Sequence, residues 1–149
     1  MAKREKIEQQ WDWILISRLR YAYWPRIVAA WLDDPGDIRS GKAQEKHVRN
    51  AWISRSLAWN RGRVRYFYDL IICGEEIDPI SIDSQSRQYR AGFPISWGGP
   101  FIDDGHHRFA AAILARKRKI RATLSGLVTT HRWLRGEVPL KQLPPEIKC

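Results

Sequence analysis

Apolar and polar positions alternate, imperfectly, along WDWILISRL (residues 11–19), a period near two that predicts a strand. Tyr21, Tyr23 and Trp24 follow before Pro25, and a short helix is expected from Arg26 to Leu32, ahead of the turn signal Asp34-Pro35-Gly36. From Lys42 to Trp59 the period becomes helical. Val48, Trp52, Ile53 and Leu57 share one side, and Lys42, Lys46, Arg49 and Arg55 share the other, which predicts a basic amphipathic helix. A further helix is expected over Val64–Cys73, stopping at Gly74.

PISID (79–83) alternates as a strand, and the Ser, Gln, Arg, Gly and Pro residues of 84–99 predict a long mobile loop. Pro100–Asp103 is a second short apolar run, with Asp104 and Gly105 as its turn. A helix is expected from His106 to about Lys117, with Phe109, Ala110, Ile113 and Leu114 on one face. Lys119–Leu124 reads as a strand, Thr129–Leu134 as a short helix, and the Pro-rich tail as irregular. Strands and helices interleave, so the expected class is α/β (α+β), a small mixed sheet with packed helices. No internal repeat or linker divides residues 1–149, and a single domain is expected.

Composition narrows the class. At 149 residues the chain fits one domain, and 44% hydrophobic with 28% charged residues suits a globular protein, not a disordered chain or a rod. No apolar stretch is long enough for a membrane span, and MAKREKIEQQ lacks the apolar core of a signal peptide. The expectation is a cytoplasmic protein without membrane insertion. Cys73 and Cys149 are the only cysteines, too few for a disulfide framework or a zinc ligand set. The eight Trp residues are expected mostly in the core, with a minority placed to stack on bases.

Charge then points to a partner. The formal net charge of +10 predicts affinity for polyanions, DNA foremost. Its distribution is uneven: residues 41–68 hold seven basic side chains against one acidic, 69–105 two against seven, and 106–149 ten against two. Basic flanks can hold a phosphate backbone while the carboxylates between them handle a metal or a nucleotide. The same pattern also fits solvated faces that merely differ in charge. Lys117, Arg118, Lys119 and Arg121 form the densest cluster and are the expected nucleic-acid contacts; a solvated helix end stabilised by its own dipole is the plainer reading.

The most specific segment is FIDDGHHRFAAAILARKRKIRATL. A strand ending in carboxylates, a Gly turn, then His and Arg opening a helix bring unpaired amides, a positive dipole end and cationic side chains together, a setting for phosphate. Gly105 allows close approach to the backbone. Arg108 can bind phosphate through two parallel bonds, with His107 as hydrogen-bond donor or proton shuttle. Asp103 and Asp104 can hold Mg²⁺, or one can take a proton from an attacking water or hydroxyl. The alternative is that Asp104 is only a helix N-cap, Asp103 a turn former, and the His pair idle. Asp83, ending PISID, can face the same pocket or serve as a turn residue.

The run DDGHHRFAAA, with PISID upstream and a basic helix-to-strand exit downstream, resembles the ParB and sulfiredoxin superfamily. Its signature is Gly, one variable residue, His or Arg, then Arg, opening a helix. The resemblance is best over 78–126 and weaker over 14–59, where ISRLRYAYWPR sits as the family's first strand would. It implies a small mixed sheet with packed helices, and Gly105, His106, His107 and Arg108 as the set holding the phosphates of ATP or another nucleoside triphosphate, with Asp103 and Asp104 beside them. His106 stands where sulfiredoxin has its reactive cysteine, so sulfinic-acid reduction is excluded. Only some twenty residues follow Leu127, which argues against the added domains of chromosome-partitioning members.

Short members of the superfamily include nucleases, nucleotide hydrolases, free-serine kinases and plasmid or phage proteins. The chain is similar in size and basic character to plasmid fertility-inhibition (oncogenic suppression) proteins, for which the resemblance implies ATP hydrolysis, DNA cleavage and a protein partner in a DNA-transfer or secretion machinery. The leading expectation is therefore a DNA-acting nucleotide hydrolase or nuclease using ATP and Mg²⁺. A non-catalytic, nucleotide-responsive DNA- or protein-binding module is the first alternative. A small-molecule, serine-type kinase is the second, and so basic a surface counts against it.

Overall fold

A computed structural model of the chain describes residues 11–32, 55–84, 88–90, 93–95, 100–144 and 147. The fold is α/β, with a four-stranded mixed sheet and helices. The described elements fall into two compact units. One holds every strand together with the first and last helices, and the other is helical.

In the sheet unit, β1 (Trp11–Leu15), β2 (Ile80–Ser84), β5 (Phe101–Asp104) and β6 (Lys119–Gly126) lie in the order β1-β6-β2-β5. β6 runs antiparallel to β1 and parallel to β2, and β5 runs antiparallel to β2. Period-two alternation puts Ile14, Ile120, Ala122, Leu124, Ile80 and Ile82 on one buried face. The expected strand over 11–19 ends at Leu15. Helix α1 (Ile16–Ala22) begins where the amide of Ile16 donates to the carbonyl of Arg118 (3.0 Å), and Ile16 and Leu19, spaced for a helix, are both buried.

Helix α5 (Val128–Arg135) extends the expected 129–134 by a residue at each end. It buries Trp133 and Leu134 and stops at Gly136, whose φ of 83° is the left-handed geometry of a C-cap. His131 is fully buried, and its Nε2–H donates to the carbonyl of Ser125 (2.9 Å). Burial pushes its pKa down, so the ring is neutral, with the proton on Nε2. Arg18 ties α1 to the same helix by donating to the carbonyls of Trp133 (2.8 Å) and Val138. Within the stretch expected as a loop, β3 (Gln88–Arg90) and β4 (Phe93–Ile95) pair as a short antiparallel ladder.

The helical unit contains α2 (Arg26–Leu32), as expected, with α3 (Leu57–Ile72) and α4 (His106–Leu114) packed on it and on each other. α3 starts seven residues before the expected Val64. Ser56 caps it, its Oγ accepting from the amide of Trp59 (3.1 Å), and the cap outweighs the weak apolar pattern of LAWNRGR. Val28, Trp31, Val64, Phe109 and three consecutive alanines, Ala110 to Ala112, are buried here. The Ala run lets α4 approach its neighbours closely, and Trp24 meets Phe109 edge to face at 6.2 Å. Of the helix expected over 42–59, residues 42–54 lie outside the described residues. Among the described residues no helix is long and apolar enough to cross a membrane.

Candidate functional site

β5 carries the two carboxylates. Asp104 pairs with Ser81 and Ile102 with Ile82, so Asp103 is an extra residue without a partner across the ladder, a β-bulge. Regular alternation would put Asp104 on the side of the buried Ile102. The bulge resets that alternation, and both Asp103 and Asp104 are exposed. Gly105 follows with φ at 107°, a conformation that side chains disfavour, so the sequence Asp-Asp-Gly has a structural reason at each position. Asp104 belongs to the strand itself, where the sequence placed it in the turn.

α4 opens directly after this glycine with His106, His107 and Arg108 and no acidic residue in its first turn. The first-turn amides have no intrahelical partners, and the dipole there favours an anion. His106 is buried, Arg108 is half-buried, and Asp104, His106 and Arg108 are each engaged with neighbouring groups.

His107 sits in an aromatic cage. Its ring stacks flat on Trp31, with centroids 4.3 Å apart and planes 7° from parallel, and meets Trp59 edge-on at 5.9 Å. Nε2 lies 2.8 Å from Oδ1 of Asn60. The Asn60 amide is oriented from its other end, since Nδ2 donates to the carbonyls of Ser56 (3.0 Å) and Arg55 (3.4 Å). Oδ1 therefore accepts, Nε2 carries the proton, and Nδ1 of the neutral ring holds the lone pair. Burial, and secondarily the Arg63 guanidinium, lower the His107 pKa to about 4. At neutral pH the residue is an uncharged ring whose donor is committed to Asn60. It positions the start of α4, and a base of so low a pKa is a weak proton shuttle near pH 7.

The basic cluster is divided between the units. Lys117 belongs to the helical unit, whereas Arg118, Lys119 and Arg121 belong to the sheet unit. Lys117, Arg118 and Lys119 are exposed, and the Arg121 guanidinium lies over the Trp11 ring, 5.1 Å from its centroid. Asp83 is half-buried and near enough to His131 to act on its charge.

Sequence reasoning missed Asn60 and the aromatic rings around His107. The available signal was an Asn four residues beyond a Ser N-cap, between Trp59 and a run of arginines. It also expected most Trp residues in the core; of the described ones Trp31 and Trp133 are buried, Trp24 is half-buried, and Trp11, Trp13 and Trp59 are exposed.

As for a metal, Asp103 and Asp104 offer adjacent hard oxygen ligands, a donor type that suits Mg²⁺ retaining several waters. Among the described residues no group of three or more His, Cys, Asp or Glu side chains stands ready to hold an ion. No protein family matches this chain, and neither characterised proteins nor solved structures yield a match to it.

Proposed function

We propose that the chain is a DNA-binding protein that carries out nucleotide-dependent phosphate-bond hydrolysis in the manner of the ParB and sulfiredoxin superfamily. The observation that carries the reading is the bulge in β5, which turns two consecutive carboxylates to solvent immediately before a left-handed glycine and an acid-free helix start. In this proposal the α4 amides and Arg108 hold phosphate. Asp103 and Asp104 bind Mg²⁺ or take the proton of an attacking water, whose oxygen bonds to phosphorus as the bridging P–O bond breaks. His107 is a positioning residue. The +10 charge supports a polyanionic substrate.

The test is incubation of the protein with plasmid DNA, Mg²⁺ and ATP beside the Arg108→Ala and Asp104→Ala variants. Nicking or phosphate release by the native chain, reduced at least about a hundredfold in both variants, is expected. Intact DNA and unhydrolysed ATP in every lane would refute the catalytic reading. One observation favours occupancy without chemistry as the second reading: the His107 ring, in the first turn of α4, is held neutral with its donor already used. Retardation of DNA that weakens steeply with salt, without cleavage, would establish it.

A further inference from the structure

The outward face of the sheet carries an arrangement that the proposed hydrolysis leaves unused. Trp11 and Trp13 stand on the same side of β1, an edge strand, and remain 49% and 47% exposed. Their ring centroids are 5.9 Å apart and the planes are 89° from parallel, so the two indoles form a right-angled corner. Arg121 lies opposite Trp13 in the β1–β6 ladder and reaches diagonally over the Trp11 ring at 5.1 Å. Lys119, opposite Leu15, adds a second exposed cation on that face.

The surroundings of the corner are small and polar. Trp11 is opposite Thr123, Thr123 is beside Ser81, and Ser81 is opposite Asp104. One cross-strand row therefore runs from an open indole to the outer carboxylate of the bulge, about 14 Å at the usual strand spacing. The side chains between the two ends, Thr123 and Ser81, are short and half-buried.

We propose that Trp11, Trp13 and Arg121 bind one unpaired base of single-stranded DNA, stacked on one indole with its edge against the other, and that the strand then crosses the Thr123–Ser81 row toward Asp104. The occupant follows from the chemistry. Indole faces suit any flat ring, and a guanidinium and an ammonium beside them select an anionic chain over an apolar protein surface. In a duplex the bases are stacked on one another, so the corner discriminates for single strands. This inference rests on the DNA-binding reading and adds to it a substrate form and a direction of approach.

The experiment measures the affinities of fluorescein-labelled oligothymidine and of a duplex for the native chain, Trp11→Ala, Trp13→Ala and the conservative Trp11→Phe. Native chain is expected to quench its Trp fluorescence on adding oligothymidine. The ratio of single-strand to duplex affinity should fall about tenfold in each Ala variant and recover largely in Trp11→Phe. An abasic site scanned along the oligomer should reproduce the loss at one position in the native chain, a readout that needs no variant to fold. If native chain binds neither DNA form, the DNA-binding reading fails and takes this one with it. If it binds DNA and the ratio is unmoved by both Ala variants and by the abasic site, the corner alone is refuted. A native dimer in sedimentation that Trp11→Ala converts to monomer would also refute it, by assigning the face to a second copy of the chain.

Discussion

Two pairs of tryptophans in this molecule each receive a basic side chain, and they treat it in opposite ways. In the helical unit, Trp31 and Trp59 enclose the His107 ring; in the sheet unit, Trp11 and Trp13 stand open with Arg121 above one of them. The difference lies in the acid–base chemistry of the guest. An imidazole can give up its proton, and Asn60 satisfies the N–H that remains, so the ring can be half-buried between the indoles. A guanidinium keeps its charge at any accessible pH and stays where water reaches it. The same aromatic hosts thus make a structural joint in one place and an open surface in the other.

The largest effect should come from opening the joint. Trp31→Ala removes the flat partner of His107 and leaves a cavity in the helical unit, a loss of about 3–5 kcal/mol in denaturant-induced unfolding. Trp11→Ala, at an exposed position, should cost no more than about 0.5 kcal/mol. Equal losses would mean that the open corner also serves as core.

Titration should give the next effect. His107 titrates at about 4 when folded and near 6.5 when unfolded. Between these values the unfolded chain binds the extra proton, so stability is at its full value above about pH 6.5 and is lost as pH falls through 4. An NMR titration of the imidazole protons gives the folded value. A His107 midpoint near 6.5 would overturn the closed cage. Breaking the joint from its polar side by Asn60→Ala leaves the Nε2–H without its acceptor and should cost about 1–3 kcal/mol.

A last change leaves the rings untouched. Gly136 has a φ of 83°, and a Cβ there would stand 2.8 Å from Cδ1 of Leu15, the last residue of the strand that bears Trp11 and Trp13. Gly136→Ala should destabilise by about 1 kcal/mol and increase amide exchange in β1. Unchanged exchange there would show that the corner does not depend on how the end of α5 seats its strand.

Much of the fold was readable along the chain because local patterns and tertiary demands agreed. Arg26–Leu32 and the strand cores of PISID and KIRATL formed where their periodicity indicated, and the helix after Gly105 began where expected but ended at Leu114, which is exposed, short of Lys117. The exceptions have local causes. Alternation ran on through Ile16 to Leu19, but Ile16 and Leu19 are spaced three apart, and the chain turns helical at Ile16 and buries both. Ser56 started α3 earlier than the apolar residues suggested. The candidate site was legible as an order of residue types, Asp-Asp-Gly-His-His-Arg, and not as an arrangement. The bulge that exposes both carboxylates is a property of pairing with β2.

By itself the amino-acid order determined the alternation of strands and helices, the cationic balance and the residues that join β5 to α4, since each depends on near neighbours or on composition. Only the tertiary structure decided that His107 is neutral while Arg121 remains a surface cation. Their surroundings come from residues far away in sequence, Trp31 and Asn60 in one case and Trp11 in the other. A protonation state follows from solvation and from the partner at the other end of the hydrogen bond, and packing alone supplies both.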